Sequence, residues 1–474
     1  MGISYKKQMH KSIHIVVCIL ILIMAFSLRM SATDFSHPIG ENSDSAVYHY
    51  AAKNLEKYGM LTMDRMGEMY KEKIPASPTA GVMPGFPFFL ALLYQVNDTA
   101  SFIIFIQVLM SMVTVIIIYL SIIELGFPRI VGLWGMTIAA LYPGFLYSLD
   151  FILTETLFTM LLTLGLWVFI KYLKTYSVRW LALSTFFFMC ATMVRAQALP
   201  VVVIQVVFIV LYTPEKRKIK HSVLVTAIAI ACMLPLWVRN WNTFHSFWLL
   251  TAAGDNPKVW GAEPYFLNMA STNGRELKEL LKFNFETNPI LFVKWRLFGF
   301  FKYMWYDLWD ENLVHPLWWI KPLRLIHQLI IVPVLATIPF FVRKVKKEIL
   351  FVACIPILFT IMAMPYHGLP RYVFPSIPAI IIFSSCCVCF LMQKSKNRKN
   401  GYRANSNSAT EENQLIIDTC AVSRADKIFR ILYQVGTILF SVVLLYSVFI
   451  FAWDEGQEMS QFRLSRSYQI DIAD

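Results

Sequence analysis

The sequence predicts an all-α polytopic membrane protein. Composition, segment length and charge distribution carry that reading. Of 474 residues, 57% are hydrophobic and only 15% charged, whereas a soluble chain carries roughly 25% charged residues. The mean hydropathy is +0.55. The apolar residues come in blocks of about 17–25, the length a helix needs to cross roughly 30 Å of hydrocarbon. Strand-length alternation is absent, which argues against an outer-membrane barrel. The net charge of +13 sits in short clusters between apolar blocks. That is the topology signal of a membrane chain, with some clusters placed to touch anionic head groups, and not a nucleic-acid surface.

Spans are expected at 12–30, 99–123, 130–149, 151–171, 178–194, 197–212, 221–238, 320–342, 349–364, 372–392 and 431–452. That is a bundle of about eleven helices, with ten to thirteen as the range left by uncertain boundaries. Lys6, Lys7 and Lys11, then Lys216–Lys220, Arg343–Lys347 and Lys394–Lys399 all fall on one side if there are eleven. That side is the cytoplasm, so the N-terminus is cytoplasmic. Residues 289–310 are long enough for a twelfth span, but counting them would move Arg343–Lys347 outside. With Lys294, Arg296 and Lys302 among many aromatics, this segment is expected to lie flat in the interface.

The expected organisation is a membrane-embedded region over 1–392, with outer segments at 31–98 and 239–319. A basic, polar inner loop follows at 393–430, then a last span at 431–452 and an outer tail at 453–474. No repeat of solenoid or inverted-transporter type is visible. The N-terminal KKQMHK and apolar run lack a clean cleavage site, so a retained first helix is expected. Seven of the eight cysteines lie in apolar blocks and Cys420 in the basic loop, so no disulfide framework is indicated. The Cys386, Cys387 and Cys389 group has no His or acidic partner and reads as small helix residues.

The loop 31–98 is unusually long for a connection. It carries SDSAVYHYAAKNLEKYG, a polar stretch and PTAGVMPGFPFFLALLY. Val47, Tyr50, Ala51, Leu55 and Tyr58 have the spacing of one helical face, and Asp44 stands at the start of that helix. There it is either a reactive carboxylate or a cap favoured by the helix dipole, and the two roles are compatible. In YPGFLYSLDFILTETLF, Asp150 lies at the mouth of a span and Glu155 deeper. An ionisable group inside a span is a functional candidate by default, although a Glu paired for packing is the competing role. Arg195, Arg239 and Arg371 are single cations on the side opposite the basic clusters. A planar guanidinium suits phosphate; a salt bridge or snorkelling is the alternative for each. His245, His315 and His367 form no pair with metal-ligand spacing. No cofactor is indicated, though a divalent metal stays open.

Four stretches in order resemble the GT-C membrane glycosyltransferases, in the branch of the protein O-mannosyltransferases and the lipid A aminoarabinose transferase. They are SDSAVYHYAAKNLEKYG with PGFPFFLALLY, SLDFILTETLFTMLLTL, PLWVRNWNTFHSFWLLTAAGDNPKVWGAEP and RYVFPSIP. The resemblance implies an enzyme whose site is on the extracytoplasmic face and whose donor is a sugar on a polyprenyl phosphate. It implies Asp44 as the base and Asp150 as a supporting acid, with Glu155 a further candidate. Arg239, Arg371 and Arg195 are then expected at the lipid phosphate. Pro84, Gly85, Phe86, Trp305 and Tyr372 are expected along the path of the lipid. The family often has a second acid directly after the first; here Ser45 stands in its place. Such a donor leaves as a phosphate monoester, which fixed arginines stabilise, while a carboxylate takes the acceptor proton. One displacement with one base inverts the anomeric carbon. The acceptor, a protein, lipid or cell-wall polymer, is not legible, and a bacterial plasma membrane is the expected location. The alternatives are a transporter or flippase, or a polymerase or ligase, for lipid-linked sugars. A transporter would place charges near mid-span in related halves, and a polymerase would rely on a late outer loop rich in Arg and His.

Overall fold

The computed structural model describes residues 2–35, 44–63, 77–252, 256–262, 276–306, 308, 317–341, 345–366, 368–400 and 424–447. Among these, seven helices are long and apolar enough to cross a membrane, with shorter apolar helices beside them. The protein is an all-α polytopic membrane protein. The chain divides into two compact units.

The first unit comprises residues 1–253, 344–355 and 374–426. Its helices include α1 (Gly2–Ala32), α2 (Asp44–Tyr58), α3 (Gly85–Tyr94), α4 (Ala100–Glu124), α5 (Arg129–Leu141), α6 (Pro143–Tyr147), α7 (Thr154–Thr175), α8 (Val178–Val194), α9 (Leu199–Tyr212) and α10 (Glu215–Phe244), together with the later helix Ile377–Asn400. The α7–α8 hairpin is its centre, with α4 against α7. Helix α9 is stitched to α8 through Gln205, which donates to Ser184 Oγ at 2.8 Å and accepts from Thr185 Oγ1 at 3.2 Å. In an apolar interior such polar side chains persist only when paired.

Local sequence sets the breaks. Thr99 caps α4 by accepting from Phe102 N–H. Tyr176 and His245 end α7 and α10 in the left-handed region, at φ 53° and 50°. The span expected at 130–149 is two helices, because Pro143 has no N–H to offer the carbonyl of Ala139. A buried arginine of α1 closes that gap. Arg29 Nη2 donates to Ala139 O at 3.4 Å, Nη1 to Ala140 O at 3.2 Å, and Nε to Ser111 Oγ at 2.9 Å.

Helix α2 lies against α3. Its buried side is formed by Ser45, Ala46, Ala51, Ala52 and Asn54, while Tyr58 is 49% exposed. The face in contact is therefore rotated from the one that the larger apolar residues suggest, because small side chains allow closer approach. Three further contacts fix the pair. His49 Nδ1 bonds Tyr94 Oη at 2.8 Å, Lys53 meets Asp98 at 2.7 Å, and Tyr48 stands edge-on to Phe86. Gly85 is dictated by packing, since a Cβ there would lie 2.5 Å from the carbonyl oxygen of Met193.

The second unit comprises residues 254–343, 356–373 and 427–474. It contains α11 (Asn256–Ala262), α12 (Leu277–Thr287), α13 (Pro289–Lys294), α14 (Phe300–Trp305) and α15 (Leu317–Phe341). A π-helical turn, Trp295–Gly299, joins α13 to α14. Four aromatic residues of 289–305, Trp295, Phe300, Phe301 and Trp305, are buried, and Trp295, Phe300 and Trp305 fully so. Trp305 donates to Thr360 Oγ1 at 3.1 Å, and its carbonyl meets His327 Nε2 at 3.0 Å.

Candidate functional site

Most of the candidate residues belong to the first unit. Asp44 opens α2 with its side chain exposed. Asp150 follows α6, half-buried, and its Oδ1 accepts from the backbone N–H of Asp34 at 3.2 Å. The loop that carries Asp150 is thus held by α1 twice, at the Arg29 clamp and just past the helix end. Sequence reasoning passed over Arg29, because an arginine close to the end of a first span reads as a topology charge. Its signal was Pro143, which strips a helix end of a donor and so calls for one from elsewhere.

Glu155 and Arg195 belong together. Glu155 is fully buried in the first turn of α7, where the helix dipole favours an anion. Arg195, extended between α8 and the turn before α9, donates from Nη1 to Glu155 Oε1 and, at 3.2 Å, to Thr154 Oγ1. Thr154 also donates to Glu155 Oε2 at 3.2 Å. The cation is neutralised by an acid of its own unit.

Arg239 is different. Nη1 donates to Thr79 O at 2.7 Å and Asn240 Oδ1 at 3.0 Å, and Nη2 to Leu61 O at 3.3 Å. Every one of these acceptors is neutral. No carboxylate lies within ion-pair distance of Arg239 among the described residues. The guanidinium is held by the two ends of the loop between α2 and α3, and no acid among the described residues neutralises it.

Arg239 also lines a cavity of about 700 Å³. The walls are apolar. Leu55, Gly59 and Leu61 come from α2 and the chain after it, Pro84, Gly85, Phe88 and Phe89 from α3 and its start, Leu157 and Leu161 from α7, Met189, Cys190, Met193 and Val194 from α8, and Cys232, Pro235 and Leu236 from α10. Of the residues expected along the lipid path, Pro84 and Gly85 face this cavity. Phe86 is buried beneath it in the core, and Phe88 and Phe89 take its place on the wall. Trp305 is packed inside the second unit, as described above. Arg371 and Tyr372 also belong to that unit, in the short helix Pro370–Val373, and both are half-buried. His245 ends α10; His315 and His367 lie outside the described residues. Among the described residues no three His, Cys, Asp or Glu side chains group as metal ligands.

Residues 78–239 match the family model of dolichyl-phosphate-mannose-protein mannosyltransferases. Among solved structures, the apo oligosaccharyltransferase of Archaeoglobus fulgidus superposes with a TM-score of 0.50 at 12% identity, over 92% of this chain. The chain has the GT-C fold. It spans 56% of the length of that archaeal enzyme. The same enzyme tethered to an acceptor peptide with an NVT sequon gives 0.50 and 12%, over 92% of this chain and 55% of the other. ArnT from Cupriavidus metallidurans bound to undecaprenyl phosphate gives 0.42 and 14%, over 91% and 71%. No curated protein matches the sequence. The segment matched by the family model contains the α7–α8 hairpin, the Glu155–Arg195 pair and Arg239.

Proposed function

We propose that the protein is a membrane glycosyltransferase. It takes a sugar from a polyprenyl-phosphate carrier and passes it to an acceptor on the extracytoplasmic face of a bacterial cell membrane. The observation that carries this reading is Arg239, a guanidinium on the wall of a large apolar cavity whose described partners are all neutral. A site with one fixed cation and otherwise apolar walls suits an amphiphile with an anionic head and a hydrocarbon tail. The family model, named for a prenyl-phosphate sugar donor, covers most of the residues that line that cavity, all but Leu55, Gly59 and Leu61. A polyprenyl-phosphate sugar meets the description.

In this reading the acceptor hydroxyl attacks the anomeric carbon as the bond to the phosphate oxygen breaks, with inversion. The electron pair leaves on the phosphate, whose charge Arg239 stabilises. The hydroxyl proton passes to Asp44, and Asp150 supports that carboxylate from the loop held by α1. Arg371 is assigned to the same phosphate on the sequence resemblance alone. Arg195 is not a free phosphate ligand here, since Glu155 holds it.

The test is binding and turnover measured separately on purified protein. Undecaprenyl phosphate is expected to bind the wild type and Asp44→Asn alike, and to bind Arg239→Gln at least about tenfold more weakly, the loss of one charge-assisted contact. Transfer from a polyprenyl-phosphate sugar donor is expected to vanish in Asp44→Asn. Equal binding by Arg239→Gln, or full turnover by Asp44→Asn, overturns the reading.

A further inference from the structure

The cavity has a floor, and its depth is legible from the helices that build it. On α10 the wall runs from Arg239 down to Cys232. Seven residues at 1.5 Å of rise put the deepest wall residue about 10 Å below the guanidinium. Helix α8 contributes Val194 down to Met189, about 7 Å, and α7 contributes Leu157 to Leu161, about 6 Å. No wall residue lies deeper on any of the three helices. The cavity therefore spans about a third of the roughly 30 Å hydrocarbon thickness.

Volume gives an independent measure. At about 30 Å³ per heavy atom, the liquid-like share of a water-sized group, a cavity of about 700 Å³ holds roughly 23 heavy atoms. Five carbons make an isoprene unit, so the space accepts four to five units. The same number in an extended chain would overrun a depth of about 10 Å, so the bound segment must be coiled. A longer tail has to leave the cavity for the surrounding lipid.

We infer that the protein reads only the four or five isoprene units next to the phosphate, and that chain length beyond them is not a specificity determinant. This rests on the prenyl-phosphate reading of the cavity proposed above. It fits the energetics of a membrane site. A tail segment already in hydrocarbon gains no hydrophobic free energy by moving into an apolar cavity. Only close packing against the walls distinguishes the cavity from the bilayer, and packing ends where the walls end.

Two native thiols make the floor observable. Cys232 and Cys190 line the cavity, while Cys18 does not. Purified protein in detergent is titrated with prenyl monophosphates of two, three, four, five, seven and eleven isoprene units. Alkylation of Cys232 by N-ethylmaleimide is followed in parallel by peptide mass spectrometry. Affinity is expected to rise to five units and then stay within about twofold to eleven, since the added units keep the apolar surroundings of the micelle. Protection of Cys232 is expected from four or five units upward, with Cys18 unaffected. Cys232→Phe, which raises the floor, is expected to move the plateau to a shorter chain. Affinity that keeps climbing from five to eleven units overturns the depth inference and leaves the lipid site standing. The same holds for Cys232 protection that is already complete with two units. Failure of every length to bind, or binding indifferent to Arg239→Gln, removes the lipid-phosphate reading itself. If Cys232 proves unreactive without ligand, the affinity series and the Cys232→Phe variant decide.

Discussion

Arg195 donates to Glu155 across the α7–α8 hairpin, so the buried acid and one of the outer arginines are each other's counter-ion. Both are withdrawn from solvent, with side-chain exposures of 13% and 0%. Breaking such a pair from one side leaves a buried charge alone, which typically costs about 3–5 kcal/mol. Glu155→Gln is therefore expected to lower the unfolding temperature in detergent sharply. Glu155→Gln combined with Arg195→Gln is expected to recover part of the loss. A Glu155→Gln variant of wild-type stability that has lost turnover would instead make Glu155 a reacting group.

Arg29 is a second buried cation, satisfied by carbonyls and a hydroxyl. Arg29→Met strands the carbonyls of Ala139 and Ala140 at the break before Pro143. Each unsatisfied buried acceptor costs about 1–3 kcal/mol, so a loss of roughly 3 kcal/mol is expected in chemical denaturation. Arg29→Lys is expected to recover little, because an ammonium lacks the planar fork that here reaches four acceptors at once.

Gly85 marks the closest approach of α3 to α8. A methyl group there meets the backbone of Met193 and not a movable side chain. Gly85→Ala is expected to destabilise by about 1–3 kcal/mol through overpacking. It should also weaken prenyl-phosphate binding, because both contacting segments form the cavity wall. Unchanged stability and binding would show that α3 is not seated as described.

Helix α2 carries Asp44, and the Lys53–Asp98 ion pair helps to tie it to the turn after α3. The hydrogen bond and charge of Lys53 hold the Asp98 carboxyl below its ordinary value of 3.8. A depressed carboxylate contributes stability above its unfolded pKa and loses it as pH falls through the folded one. The contact should therefore weaken only below about pH 4. Being exposed, it should also weaken with salt. Hydrogen exchange in α2 at acid pH is expected to rise in the wild type and to be insensitive to acid in Asp98→Asn.

Much of this protein was written in the order of its residues. Hydrophobic block length and basic clusters sufficed for an all-α membrane bundle, because crossing a bilayer requires unbroken apolar helices. The break near Arg195 was also visible, between the spans at 178–194 and 197–212, whereas the one at Pro143 fell inside the span expected at 130–149. The packed face of α2 was not visible either, because side-chain size and not hydrophobicity chose it: Ala46, Ala51 and Ala52 are buried while Tyr58 is exposed.

The three outer arginines show where sequence stops. Arg195, Arg239 and Arg371 look alike in one dimension, each a lone guanidinium at a helix end. Only the fold decides that Arg195 meets Glu155 while Arg239 meets neutral carbonyls and an apolar cavity. Periodicity fixes which residues enter a membrane, since that depends on the segment itself. Whether a charge is spent or available depends on what a distant segment brings within about 4 Å of it, and no local pattern encodes that distance.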